Sequence, residues 1–399
     1  MEPADHPPAD HPPVADAPAD APPGVALLLA SPDRDQHLAD ELARTLPGRA
    51  TAPIAPGVLH LDRAAAPHAA PAADPSLAFA TQVLPDARPV MATSVARWAE
   101  RCTDLVLDAL GAHAGPWRLH VLAAPVPGSR LGAGRAQLVR TQLVAQLKER
   151  RRALHRALVA DDATPWRDAA GSAARGTEAL VASDAAVPDA APGADALVQV
   201  LLTDLEAGWI SIARDPARHA WRHVLSRFPA GVVEVPEDRG PPSRAYRKLL
   251  EAELHLGARI ETGQRCVDLG ASPGGWSAVA LARGASVLAV DRAPLREDLM
   301  AHPLLAFRQG DAFRHAPDPA APADWLLCDV IAFPERTLEL LARWLAAGGC
   351  RRFVVTLKFR GTEDYGRLEE CKALLAARGG TWLLRQLGAN RNEVTACGA

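Results

Sequence analysis

A short stretch near the middle of the chain joins an apolar segment to a glycine-rich turn. It covers residues 266–276, which read CVDLGASPGGW. The pattern predicts a buried strand that runs into a tight turn and then a helix. A turn of this kind presents backbone N–H groups and a helix N-terminus to a bound ligand. Because it lacks the spacing G-x-G-x-x-G, it does not favour a dinucleotide.

The residues around this turn alternate between strands and helices. We predict strands at 265–269, 286–290, 304–308, 324–328 and 352–357, helices at 243–257, 334–346 and 364–378, and two final strands at 381–387 and 392–397. The alternation predicts an α/β fold, with a Rossmann-like, mostly parallel sheet covered by helices on both faces. Ligands of such sheets bind beyond the carboxyl ends of the strands.

The rest of the chain divides by composition and periodicity. We predict a disordered Pro/Ala-rich tail at 1–23, an N-terminal α/β subdomain at 24–100, a mixed α/β region at 101–215, a linker at 216–240 and the Rossmann-like domain at 241–399. The first half should hold strands at 25–30, 77–84 and 117–123, helices at 33–46 and 90–111, and a hairpin of strands 197–202 and 208–213. A single helix predicted at 135–159 is the most basic element.

Net charge and cysteine content restrict the functional classes to which the protein can belong. The 399 residues carry a net charge of −3, so a nucleic-acid-binding protein of this composition would need a local basic face. The six cysteines are scattered without a C-x-x-C pair, which favours reduced thiols and no metal site. The N-terminus lacks the features of a secretion signal, and no apolar run approaches the roughly 20 residues of a membrane helix. We therefore expect a cytoplasmic protein without a membrane partner.

The glycine-rich turn resembles the S-adenosylmethionine loop of Rossmann-like methyltransferases, especially those that methylate ribose hydroxyls in RNA. That resemblance implies S-adenosylmethionine as the cofactor. Asp291 and Asp311 follow the second and third strands, where carboxylates could bind the ribose hydroxyls and the adenine amino group. Alone, each acid could equally be a helix cap. The predicted cofactor-binding residues are Asp268, Gly270, Ser272, Pro273, Gly274, Gly275, Trp276, Asp291, Asp311 and Asp329.

Four charged residues are candidates for catalysis. Lys358 directly follows an apolar strand, and a lysine can act as a general base when burial and a nearby cation lower its pKa. Asp329 ends the neighbouring strand and could orient that lysine. Lys248 on the first helix and Glu393 entering the last strand complete the set, although either alone could be a surface residue.

The order Lys248, Asp329, Lys358, Glu393 resembles the K-D-K-E tetrad of FtsJ-type RNA ribose methyltransferases. Over about 241–397 the chain is similar to the large-subunit ribosomal RNA methyltransferase M family. The resemblance implies 2′-O-methylation of a cytidine in large-subunit rRNA, either naked or in an early assembly particle, and no action on DNA. It also implies a THUMP-type RNA-binding module within 101–215, the region that contains the basic helix. The arginines of that helix could contact phosphates, or the helix could simply be amphipathic with a solvated basic face.

Three other functions remain open at this point. The chain could be an RNA-binding or ribosome-assembly factor that retains the fold with little turnover, although the intact tetrad argues against it. A nicotinamide oxidoreductase would bind NAD instead of S-adenosylmethionine. A small-molecule methyltransferase would leave the N-terminal half and its basic helix without a role.

Overall fold

The computed structural model describes residues 25–31, 33–62, 75–125, 131–159, 196–233, 235–361 and 363–399. The tail predicted at 1–23 lies outside these residues. Within the described ranges, no helix combines the length and apolar character needed to cross a membrane. All six cysteines lie in described segments, where they are buried and unpaired.

The first half of the chain is organised around one mixed sheet. Its strands are β1 (Val25–Ala30), β2 (Thr51–Ala55), β3 (Val58–Leu61), β4 (Ala80–Met91), β5 (Trp117–Ala123), β6 (Ala196–Leu202) and β7 (Ala207–Arg214), in the spatial order β2-β3-β1-β4-β7-β6-β5. Its described helices are α1 (Asp35–Thr45), α2 (Val95–Leu110), α3 (Ala133–Arg150) and α4 (Arg152–Arg156). The long strand β4 pairs with both β1 and β7, so the sheet is continuous across the predicted boundary near residue 100. The predicted domain division stays a prediction.

The basic segment predicted as one helix is broken in two. Helix α3 ends at Arg150, and Arg151 leaves the helical conformation at φ −149° and ψ 78° before α4 begins. The break turns Leu154 into the core, where its carbonyl accepts the indole N–H of Trp117 at 2.8 Å. The prediction of a single helix was wrong because this tertiary contact is invisible to local periodicity.

The second half contains the predicted α/β fold. Its strands are β8 (Arg265–Leu269), β9 (Ser286–Asp291), β10 (Leu305–Gln309), β11 (Ala323–Cys328), β12 (Cys350–Lys358), β13 (Trp382–Arg385) and β14 (Glu393–Gly398). Its described α-helices are α5 (Tyr246–Leu256), α6 (Gly275–Ala282), α7 (Glu297–Met300), α8 (Pro334–Ala346) and α9 (Arg367–Arg378).

These strands form a second seven-stranded sheet in the order β10-β9-β8-β11-β12-β14-β13. The first five strands in this order run parallel, whereas β14 is antiparallel to both of its neighbours. The predicted Rossmann-like, mostly parallel sheet is therefore confirmed. The carboxyl ends of β8, β9, β11 and β12 lie along one edge, where a ligand site is expected.

The two halves share buried contacts. One hydrophobic core includes Leu28, Leu38 and Phe79 from the first half together with Phe353 and Leu368 from the second. Polar contacts reinforce it, because Lys372 forms an ion pair at 2.8 Å with the fully buried Glu41. The second half is therefore held against the first by burial and charge together.

Arg385 makes a second polar contact across this junction. Its Nη2 donates to the carbonyl oxygens of Thr81 and Val224, both at 2.9 Å, and the residue is only 4% exposed. Burial lowers the pKa of its guanidinium to about 10, although the nearby carboxylate of Glu251 favours the charged form. Few buried arginines lack such partners.

Replacing Arg385 with alanine should reduce the free energy of unfolding by about 3–5 kcal/mol, since it leaves buried carbonyl groups without a donor and Glu251 without its cation. Arg351→Ala is the matched control, because Arg351 is 69% exposed and pairs with Asp324 at the surface. The control should cost less than about 1 kcal/mol. Urea denaturation measures both; equal midpoints for the two variants would contradict the assignment.

Candidate active site

The turn after β8 is shaped by glycines that cannot be replaced without displacement of neighbours. Gly270 has φ +78°, and a Cβ built on it would lie 2.8 Å from the Cβ of Val330. Gly275 begins α6, and its Cβ would lie 2.3 Å from the Oγ of Ser243. The turn therefore lies against the loop after β11 and the segment before α5. This close approach needs glycine at these positions.

A cavity of about 360 Å³ opens beside this turn. The turn residues Gly270, Ser272, Pro273, Gly275 and Trp276 line it, as do the acids Asp268, Asp291 and Asp329 and the amine-bearing Lys358. Of the predicted turn residues, Gly274 lies outside the described lining; it precedes α6 with a φ of +108°, and a Cβ built on it would meet the side chain of Leu299. Eight of the ten predicted cofactor residues thus surround one cavity.

Two of the acids at the cavity differ in their surroundings. Asp268 is 2% exposed and accepts hydrogen bonds from the Oγ of Ser277, at 2.6 Å, and from the backbone N–H of Ser277. Burial raises its pKa to about 7, and the carboxylates of Asp329 and Asp291 add to the effect. Asp291 accepts the backbone N–H of Ser272 at 3.0 Å and of Ala293 at 2.9 Å. Each of its oxygens keeps a lone pair for a hydroxyl donor.

Asp311 is placed differently from the other predicted acids. Its carboxylate accepts the N–H of Phe313 at 2.9 Å and forms an ion pair with Arg292 at 2.8 Å. These contacts hold the pKa of Asp311 below its ordinary value. It is not among the described residues that line the cavity, and its predicted contact with adenine stays a prediction.

The four predicted catalytic side chains meet at one end of the cavity. Lys248 Nζ lies 3.1 Å from both carboxylate oxygens of Asp329 and 2.5 Å from Glu393 Oε1. Lys358 Nζ donates to Asp329 Oδ1 and lies 2.9 Å from Glu393 Oε2. Two ammonium groups and two carboxylates therefore alternate in a closed ring. All four side chains are 20% exposed or less.

The sheet topology explains how distant residues meet. Strands β12 and β14 are antiparallel, and their register places Lys358 directly opposite Glu393. Asp329 follows β11, which is the parallel neighbour of β12. Lys248 reaches the same edge from α5, whose other buried residues pack into the core of this domain. The ring thus combines three adjacent strand ends and one helix.

The ring determines the charge state of its members. Burial by itself raises the pKa of Asp329, but the ammonium groups of Lys358 and Lys248 outweigh burial, and the pKa lies below its ordinary value. For Lys358, burial lowers the pKa, but Asp329 and Glu393 outweigh it and the pKa lies above its ordinary value. Without a further cation nearby, Lys358 is therefore an ammonium group at neutral pH.

The structure adds residues that the sequence reasoning missed. Thr356 is fully buried, donates to Asp329 Oδ1 at 2.6 Å and accepts from Lys358 Nζ at 3.3 Å. Its position two residues before Lys358 on the same strand was the available signal, because alternate residues share a face. Ser243, Ala245 and Ile331 also line the cavity. Their positions in loops and at a helix start gave no comparable signal.

Asp268 should destabilise the folded protein at alkaline pH. The folded pKa of about 7 exceeds the ordinary value of 3.8, so the folded state loses stability relative to the unfolded chain as pH rises between these values. Asp268→Asn should therefore raise the melting temperature, with a gain about twice as large at pH 8 as at pH 5.5. Asp311→Asn is the control; because that pKa is lowered, its change should have the opposite sign. A gain independent of pH would contradict the placement of the charge.

The second half of the chain is similar to known proteins. Residues 241–343 match the FtsJ-like methyltransferase family, a range that includes Lys248, the glycine-rich turn and Asp329. Curated relatives named ribosomal RNA large subunit methyltransferase M include proteins from Thauera aminoaromatica (35% identical over 50% of this chain and 56% of the relative) and Laribacter hongkongensis (38% identical over 42% and 50%).

The chain spans about half the length of the curated relatives it matches. The match to the FtsJ-like family ends before Lys358 and Glu393, so the second half of the tetrad rests on the geometry described above. The predicted resemblance to the methyltransferase M family is confirmed, and residues 241–343 are similar to the FtsJ-like methyltransferase family.

Proposed function

We propose that this protein transfers a methyl group from S-adenosylmethionine to a ribose 2′-hydroxyl of large-subunit rRNA, at a cytidine. The observation that carries the proposal is the ring of Lys248, Asp329, Lys358 and Glu393 at the end of a cavity bounded by the glycine-rich turn. Lys248, the glycine-rich turn and Asp329 lie within residues 241–343, which match the FtsJ-like methyltransferase family, and curated relatives of the chain are named as rRNA methyltransferases.

The cavity suits the charges of the proposed cofactor. S-adenosylmethionine supplies a methyl group activated by a sulfonium, and its methionine part carries an ammonium and a carboxylate, so the molecule as a whole is a cation. Three carboxylates line the cavity, and Asp268 among them is almost completely buried, with hydrogen bonds from Ser277 but no described ion pair. Buried carboxylates without a cation are costly, so cationic groups of a ligand would relieve that cost. Asp291 retains acceptor capacity for ribose hydroxyls.

Lys358 is proposed as the general base. A neutral Nζ would accept the proton of the 2′-hydroxyl. The hydroxyl oxygen would at the same time form a bond to the methyl carbon, whose bond to sulfur would break. In this structure Asp329 and Glu393 hold the pKa of Lys358 above its ordinary value. A bound cation would oppose them and lower that pKa. After the transfer, the same two carboxylates would stabilise the resulting ammonium.

The other ring residues position Lys358. Asp329 accepts hydrogen bonds from Lys358, Lys248 and the hydroxyl of Thr356, which restricts its rotation. Glu393 bridges both lysines from the opposite strand. Such restriction holds a reacting nitrogen in line with its target, which is a large part of catalysis by orientation.

The N-terminal half is proposed to bind the RNA as a THUMP-like module. Part of the basic segment is engaged within the protein, since Arg135 donates to Leu205 O at 2.6 Å and Arg150 pairs with Asp104 at 2.7 Å. Lys148, Arg152 and Arg156 are exposed. These three side chains are therefore the better candidates for phosphate contacts in cytoplasmic rRNA, whether naked or in an early assembly particle.

The direct test is methyl transfer in vitro. Purified protein with isotope-labelled S-adenosylmethionine should modify large-subunit rRNA from cells that lack the gene, and mapping of ribose-methyl groups should show one new site at a cytidine. Transfer to a base, or binding of rRNA without any transfer, would contradict the proposal. The second result would favour the assembly-factor alternative.

Lys358→Ala and Lys358→Arg should both reduce methyl transfer by about 10²–10⁴-fold, because general-base catalysis typically contributes that much. The arginine keeps the positive charge next to Asp329 and Glu393 but cannot give up its proton. Arg351→Ala, at the opposite end of the same strand, is the matched control and should retain activity. Calorimetric titration with S-adenosylhomocysteine should show binding by all variants. An active Lys358→Arg protein would exclude the lysine as base.

The rate of methyl transfer should rise with pH. In the unliganded structure the pKa of Lys358 lies above its ordinary value, and a bound cation would lower it. Below the pKa of the complex the neutral amine grows nearly tenfold per pH unit, so single-turnover rates should rise with pH and level off once Lys358 has lost its proton. A rate of methyl transfer that does not change with pH would contradict the proposal that Lys358 must lose its proton before the transfer.

A further inference from the structure

The loop after β11 exposes two large apolar side chains beside the site. Ile331 is 91% exposed, the highest value among the large apolar residues that the structure describes, and Phe333 is 47% exposed. Both follow Asp329 within four residues, and Ile331 lines the same cavity as Lys358. Single exposed apolar side chains are common, but two of them in one loop, of which Ile331 lines a functional cavity, indicate a contact surface.

A cation lies against this surface. The guanidinium carbon of Arg360 is 4.2 Å from the centroid of the Phe333 ring. Arg360 is exposed and lies two residues after Lys358. The three side chains therefore come from the two loops that follow β11 and β12, which are the loops that also place Asp329 and Lys358. We call Ile331, Phe333 and Arg360 the loop platform.

We propose that the loop platform holds the base of the nucleotide whose ribose is methylated. This inference rests on the proposed function. The base is bonded to the ribose carbon next to the one that bears the 2′-hydroxyl, so a 2′-hydroxyl at Lys358 puts the base beside these loops. Ile331 and Phe333 offer apolar surface to its flat face, and Arg360 offers a charge to an adjacent phosphate or a plane for stacking.

The chemistry of the surface favours an unpaired nucleotide over a protein partner. Stacking of a base on an aromatic side chain typically strengthens binding about 5- to 100-fold, without requiring a particular base. An arginine over an aromatic ring is typical of such single-strand sites. Two exposed apolar residues form too small an area for a stable protein interface. Sequence-specific RNA enzymes commonly take an unpaired or flipped-out base.

The test uses Phe333→Ala and Ile331→Ser, with Leu304→Ala as the control. Leu304 is 40% exposed, lies just before β10 and is not part of the described cavity lining. The two platform variants should lower kcat/KM for the large-subunit rRNA transcript about 10-fold or more, while the control stays within about 2-fold of wild type. Phe333→Tyr should restore most of the activity, because it keeps the ring. Melting temperatures and S-adenosylhomocysteine affinity of Phe333→Ala should match wild type.

A binding experiment with S-adenosylhomocysteine present separates the platform from general loss of function. One RNA lacks the base of the target nucleotide, and the other is intact. The wild-type protein should bind the RNA without the base more weakly than the intact RNA, whereas the Phe333→Ala protein should bind both equally. This coupling is expected only if the ring and the base are in contact. Equal losses in both proteins would overturn the proposal, as would platform variants that behave like Leu304→Ala.

Failure of the proposed function would give a different pattern. If wild type transfers no methyl group to rRNA, the 2′-O-methyltransferase proposal fails, and binding of a single-stranded fragment of large-subunit rRNA still decides the platform. Weaker binding by Phe333→Ala than by Leu304→Ala would then support a base contact. The platform proposal would be overturned if the platform variants bound RNA as wild type does but no longer bound a protein partner.

Discussion

The ring of two ammonium groups and two carboxylates is the interaction on which the site depends. Each of its charges would be unfavourable alone at 20% exposure or less, and each is compensated by neighbours of opposite sign. The ring also fixes positions, since Asp329 receives hydrogen bonds from three directions. The same contacts keep Lys358 protonated before a ligand binds. The contacts that hold Lys358 in place therefore also prevent it from accepting a proton. A bound positive charge would lower its pKa and favour the neutral amine.

The sheet makes this ring possible by bringing β14 back between β12 and β13. The N-terminal half supports the loops next to it. Tyr365 packs against Phe79 of the first half and Phe359 of the second, at 4.9 Å between ring centroids in each case, and donates to Asn392 at 2.6 Å. Phe359 follows Lys358, and Asn392 precedes Glu393. The junction between the halves is therefore continuous with the residues that hold the ring.

The cavity combines features that cost stability with features that serve binding. Asp268 is buried with hydrogen bonds from Ser277 but no described ion pair, and its pKa of about 7 expresses the cost of its charge. Ile331 is nearly fully exposed, although its side chain would be better buried. Departures of this kind from ordinary folding preferences are typical of functional sites, where a ligand supplies the missing partner. They occur here on neighbouring strand ends of a sheet that is otherwise regularly packed.

The sequence predicted the strands and most helices of the second half and the glycine-rich turn, because each is encoded by local periodicity or a compact motif, although it missed the short helix α7. The four residues of the tetrad were selected by their order along the chain and its resemblance to a known family. The sequence also predicted the first-half strands β1 and β5 with their observed bounds. Only the tertiary structure revealed the break at Arg151, the contribution of Thr356, the different placement of Asp311 and the exposure of Ile331 and Phe333. Burial and charge compensation arise between residues far apart in the chain, and the spacing of residues along the sequence carries no measure of either.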